Sequence, residues 1–116
     1  MSQQDSYSVV LVTTASQDEA VAIAQSLIQA GLAACVSITP IQSIYVWEGE
    51  THQDNEWQLM IKTHLACFQY LEATVQKIHS YDVPEIIALP ILAGSQPYLD
   101  WMAAQVERSP RQRPAQ

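Results

Sequence analysis

Tyr45-Val46-Trp47-Glu48-Gly49, followed by Glu56-Trp57-Gln58-Leu59-Met60-Ile61-Lys62-Thr63, decides how this chain folds. Two aromatic, β-branched runs flank a short polar segment holding Gly49, His52, Asp54 and Asn55, the pattern of a long β-hairpin. With its first arm running from Ala34 to Trp47, a rise of ~3.3 Å per residue takes the ribbon to roughly 45 Å. A compact domain of about 100 residues is only ~35 Å across. Tyr45 and Trp47 alternate with Ile44 and Val46, so both faces of the arm are apolar. The overhang needs a second cover from another subunit, and Tyr45, Trp47, Trp57 and Met60 are its expected anchors.

Upstream, Tyr7–Thr14 is apolar almost throughout, as a strand covered on both faces would be. Ser16-Gln17-Asp18-Glu19 has capping-box spacing and opens a helix. Its apolar stripe is Ala20, Ile23, Ala24, Leu27 and Ile28, and Gly31 closes it. Pro40, lacking an N–H, places the long strand at a bulge or an unpaired edge and bends it midway. After the hairpin, Trp57–Thr63 alternates as a third strand, and Phe68, Leu71, Val75 and Ile78 resume helical spacing. Pro84 forces Val83 out of the helical region, and Glu85–Ile91 reads as a fourth strand with a proline suited to an edge. Pro97 opens a last helix with Tyr98, Trp101, Met102 and Val106 on its stripe.

Strand, helix, strand, strand, helix, strand, with one added helix, is the order of an α+β, ferredoxin-like double split-βαβ fold. Residues 7–107 form the single domain, and 108–116 are expected to be a disordered basic tail. The antiparallel sheet carries helices on one face. Its bare face also needs a cover, which packing around a three-fold axis would supply.

Hydrophobic residues make up 48% of the 116, enough for a core, and no apolar run is long enough to span a bilayer. The start has no basic region before an apolar stretch, so a cytoplasmic location is expected. Net charge is −7, and three of the five basic residues, Arg108, Arg111 and Arg113, fall at the C-terminus. Lys62 and Lys77 are left against 12 carboxylates, a balance that disfavours nucleic acid and anionic membrane as partners and favours cations. Cys35 and Cys67 have no CxxC spacing and read as reduced, buried thiols. A Ser-His-Asp signature, a P-loop and a GxGxxG are all absent, so no enzyme is indicated.

Ala33-Ala34-Cys35-Val36, Tyr45-Val46-Trp47-Glu48-Gly49, Glu56, Lys62-Thr63, Tyr81-Asp82-Val83-Pro84-Glu85 and Tyr98-Leu99-Asp100-Trp101 together resemble the CutA family of divalent-cation tolerance proteins. The similarity runs from about Ser8 to about Val106. It implies a stable cytosolic homotrimer with a ferredoxin-like protomer, a link to divalent-metal tolerance and, in some members, copper binding, but no established reaction. The fold is also similar to the PII signalling trimers, whose intersubunit clefts bind small effectors. Certain bacterial members carry a cysteine proposed as a copper ligand where this chain has Thr13, and a hydroxyl is a poor substitute for a thiolate. A second proposed ligand corresponds to His79.

His79 and Glu85 flank the Tyr81–Pro84 turn and are the candidate ligands for Cu²⁺ or another divalent cation. The plainer account makes His79 a helix cap and gives Glu85 backbone N–H partners. His52, Asp54 and Glu56 share a face if extended, either as a weak cation site or as solvated charge. His64 reads as a strand-end residue. Lys62, Tyr81, Glu85 and Trp101 are the residues of a possible intersubunit cleft for an effector, with Lys62 paired to a carboxylate such as Glu56 or Glu85. No cofactor is required.

Overall fold

The computed structural model describes residues 6–106. Glu107 and the basic tail expected over 108–116 lie outside the described residues. The order is β1 (Tyr7–Thr14), α1 (Gln17–Gln29), β2 (Cys35–Trp47), β3 (Glu50–His64), α2 (Phe68–Ile78), β4 (Ile86–Pro90) and α3 (Gln96–Gln105). One four-stranded sheet has the order β2-β3-β1-β4 with every neighbouring pair antiparallel. β1 and β2 straddle β3, and β3 and β4 straddle β1, so each crossover helix joins strands that are not neighbours. That is the split-βαβ arrangement.

Alternation sorts the sheet into two faces. Val10 and Val12 pair with Ile61 and Leu59, and these with Val36 and Ile38. They form one core with Ile23 and Leu27 of α1 and Leu71 and Val75 of α2. Fully burying each such side chain contributes roughly 1.5–3 kcal/mol. On the other face, Leu11 lies between Met60 and Ile87, and Val9 between Lys62 and Leu89. Met60, Ile87 and Leu89 remain 38%, 48% and 46% exposed, a half-covered apolar surface.

α1 is capped at both ends. The Ser16 hydroxyl accepts from Glu19 N–H at 3.1 Å. At the other end Gly31, at φ +72°, lets its own N–H reach Ile28 O while Leu32 N–H reaches Leu27 O, a Schellman closure. The capping box is only half made, because the Glu19 carboxylate accepts instead from Ser80 N–H (2.7 Å) and the Ser80 hydroxyl (3.0 Å). It ties α1 to the segment between α2 and β4.

The hairpin departs from the expected layout at its turn. β3 starts at Glu50, so the polar segment between the two aromatic runs is itself strand, and only Glu48 and Gly49 turn the chain. Their φ values of 52° and 81° are those of a type I′ turn, whose twist matches the flanking strands. Pairing then runs without a bulge from Trp47↔Glu50 to Cys35↔Lys62, and Pro40 sits within it on the edge strand. Thirteen paired residues span about 43 Å at strand rise, which matches the 42 Å long dimension of the molecule.

Candidate functional site

Along the overhanging part of the arm the open face of the hairpin meets the segment leading into β4, and between them lies a cavity of about 600 Å³. Its aromatic wall is Tyr45, Trp47 and Tyr81, its carboxylates are Glu56, Asp82 and Glu85, and Thr13, Ser43, Ile44 and Val83 complete it. The strand register brings most of these together, since Ser43, Tyr45 and Trp47 point the same way as their cross-strand neighbours Asp54, His52 and Glu50, and Glu56 follows in that row opposite Ile41.

Glu56 is the least accessible acid among the described residues, at 8% exposed. Its Oε2 accepts from the Tyr81 hydroxyl at 2.7 Å, and among the described residues no basic side chain pairs with it. Burial, then Glu56, push the Tyr81 hydroxyl well above the usual tyrosine range. Partial burial and the nearby Glu56 charge hold the Glu85 carboxyl above its ordinary value. Tyr45 donates to Asp54 and stacks on His52 at 5.6 Å; the Asp54 bond is the main reason its hydroxyl titrates high. His52, Asp54 and Glu56 do share a face, but His52 and Asp54 both engage Tyr45 while Glu56 engages Tyr81, so the three do not act as one set.

His79 stands at the end of α2 with both ring nitrogens engaged. Tyr81 N–H donates to Nδ1 at 3.0 Å, which leaves the proton on Nε2 to be donated to Thr13 O at 2.8 Å. Its ring is shut off from solvent and does not line the cavity, whereas Glu85 does. His79 could bind a metal only by giving up one of these bonds. No group of three or more His, Cys, Asp or Glu side chains among the described residues is arranged to hold a metal ion, so the residues present do not fit a tight copper centre. His64 is fully buried, and its Nδ1 accepts from Ala66 N–H. Cys67 is buried in the core and Cys35 is partly buried.

The expected cleft set separates into two pairs. Tyr81 and Glu85 line the cavity, but Lys62 lies with Nζ 5.8 Å from the Tyr98 ring, and Trp101 packs on Tyr98 at 5.4 Å. No carboxylate pairs with Lys62 within 4.0 Å among the described residues, so an aromatic face replaces the anticipated ion pair. Of the four anchor residues, Tyr45, Trp47 and Met60 are exposed while Trp57 packs against the core. Sequence reasoning missed the burial of Glu56. The available signal was its period-two spacing to Met60, which places it on the open face with Tyr45.

Fold and cavity together define a class: a split-βαβ protein with an overhanging apolar hairpin and an acidic, aromatic cavity beneath the overhang. The family model for the CutA1 divalent ion tolerance protein matches residues 8–105, and the chain belongs to that family. It is 47% identical over 95 residues to the divalent-cation tolerance protein CutA of Thermus thermophilus, covering 81% of this chain and 92% of that one. To the chloroplastic protein CutA of Arabidopsis thaliana it is 46% identical over 95 residues, 81% of this chain but 52% of that longer one. The structure of the periplasmic divalent cation tolerance protein CutA from Archaeoglobus fulgidus superposes with a TM-score of 0.85 at 38% identity, over 87% of this chain and 99% of that one. The family model and the Thermus and Archaeoglobus proteins are named for divalent-cation tolerance rather than for an enzyme activity. Among the described residues no helix is long and apolar enough to cross a membrane.

Proposed function

We propose that this chain forms a cytoplasmic, non-enzymatic homotrimer that takes part in tolerance to divalent metal ions, and that the cavity beneath the hairpin's overhang is where it binds cations. One observation carries the binding half: three carboxylates line a cavity that no basic residue lines, and the most buried of them has no counter-charge among the described residues. A low-dielectric wall focuses such a field and raises the local concentration of cations. The assembly half is supported by the tip of the arm, where Ile44, Val46 and Trp47 are 68%, 70% and 50% exposed on opposite faces. Tyr45, Trp47 and Met60 are its proposed contacts, with Trp57 backing them from the core.

Carboxylates without a convergent third ligand bind Cu²⁺ or another divalent ion weakly. Calorimetric titration with Cu²⁺ and Zn²⁺ tests this. Affinity is expected to fall in Glu56→Gln and Glu85→Gln. His79→Ala separates the two ligand sets: unchanged affinity removes His79 from the site, and lost affinity shows that it exchanges its backbone bonds for metal. Titrations in which Glu56→Gln and Glu85→Gln bind as well as the parent would overturn the cavity assignment.

A PII-like role, with a small effector in the cleft, is favoured by a different observation. About 600 Å³ is within the range of small-molecule sites and far larger than a single ion needs.

A further inference from the structure

The size and the walls of the cavity ask for more than a metal ion. At ~30 Å³ of liquid volume per water, the space of about 600 Å³ would hold a sizeable group of waters around any bare ion. Three aromatic side chains, Tyr45, Trp47 and Tyr81, line it beside the carboxylates. Metal ions gain little from ring faces or apolar walls, and the donor groups needed to enclose one are not gathered among the described residues. An alkylammonium group gains from both. Its charge is attracted by ring quadrupoles, most strongly by indole, and its carbon shell removes apolar wall from water. Glu56 supplies the anchor: it is nine-tenths buried, it spends Oε2 on the Tyr81 hydroxyl, and no base among the described residues neutralises it.

We infer that the cavity is a site for a small organic ammonium ion, its charge set against Glu56 and its alkyl body against Tyr45, Trp47 and Tyr81. This rests on the cation-binding reading of the same cavity and names the class of cation. The Tyr81 hydroxyl orients the Glu56 carboxylate by fixing one oxygen. Asp82 and Glu85, both exposed on the rim, add attraction for a positive ligand on its way in and repel anionic metabolites. A neutral molecule of the same shape leaves the Glu56 charge unmatched and is rejected.

The test is calorimetry on the full chain at fixed ionic strength with four probes: choline, propylammonium, the neutral choline isostere 3,3-dimethylbutan-1-ol, and Zn²⁺. Saturable binding of either ammonium probe, at least ten-fold tighter than the neutral alcohol and weakened about ten-fold in Glu56→Gln, is expected. Glu85→Gln, at an exposed position on the rim, is expected to weaken it two- to three-fold, which keeps the test decisive should Glu56→Gln fold poorly. Binding of Zn²⁺ with none of either ammonium ion would overturn the inference and leave the cation-binding reading standing. Absence of binding by all three cations would remove both. Equal binding of choline and its neutral isostere would show an apolar pocket and likewise overturn the inference.

Discussion

Glu56 and Tyr81 are 25 residues apart in sequence and form the polar hinge of the site through one hydrogen bond. Tyr81→Phe keeps the ring but leaves a buried carboxylate without its donor, so it should destabilise the fold by about 1–3 kcal/mol. Urea denaturation measures this, and unchanged stability would mean that water reaches Glu56 freely. Glu85 behaves in the opposite sense. Its carboxyl is raised in the folded state by partial burial and by Glu56, so above the ordinary carboxylate range the folded protein carries a charge it disfavours. Glu85→Gln removes that penalty. The variant should melt higher than the parent at neutral pH, and the gap should close as pH falls through the raised value towards the ordinary one, where both forms are uncharged. A constant gap across that window would contradict the assignment. Neither behaviour was legible in the sequence, because period-two spacing gives Glu56 its face but not its burial, and glutamates are almost always exposed.

Among the elements, those with a face packed inside the chain were readable. The stripe of α1 and the signals of its ends gave its extent to within a residue or two, since Ser16 and Gly31 each solve a backbone problem that the sequence states directly. β3 was read too short for the converse reason. From Thr51 to Asn55 neither face of the arm packs against this chain's own core, so no apolar alternation records the strand. The turn was also disguised, because Glu48 occupies a left-handed position where Asn or Asp is usual. Glu19 shows a further limit. Its capping-box spacing is real, yet Ser80, 61 residues away, offers an N–H that local sequence cannot announce. Gly49 tests the turn itself: a Cβ there would meet nothing within 4 Å, so Gly49→Ala should cost only the backbone strain of φ +81°, about 1 kcal/mol. A loss several-fold larger in thermal melts would point to a contact at the tip, and no loss would contradict the type I′ geometry.

For the whole molecule, one fact dominates: the hairpin is as long as the molecule, and the outer part of its β2 strand exposes apolar side chains on both faces. The half-covered row of Met60, Ile87 and Leu89 adds a second apolar area on the sheet face that α1 and α2 leave bare. Exposed apolar surface of this extent on a β-ribbon invites association, and a closed symmetric assembly satisfies it without aggregation. Trp47 lies at the far end of the arm and contributes nothing to the internal core, so Trp47→Ala should weaken assembly while leaving the protomer's circular dichroism unchanged. Sedimentation showing intact assemblies in that variant would remove Trp47 from the interface. The dependence of the ribbon on sister copies is tested most directly by light scattering coupled to size exclusion on the parent chain at micromolar concentration. A single species with the mass of three chains is the result predicted. A folded species with the mass of one chain, stable on dilution, would contradict it.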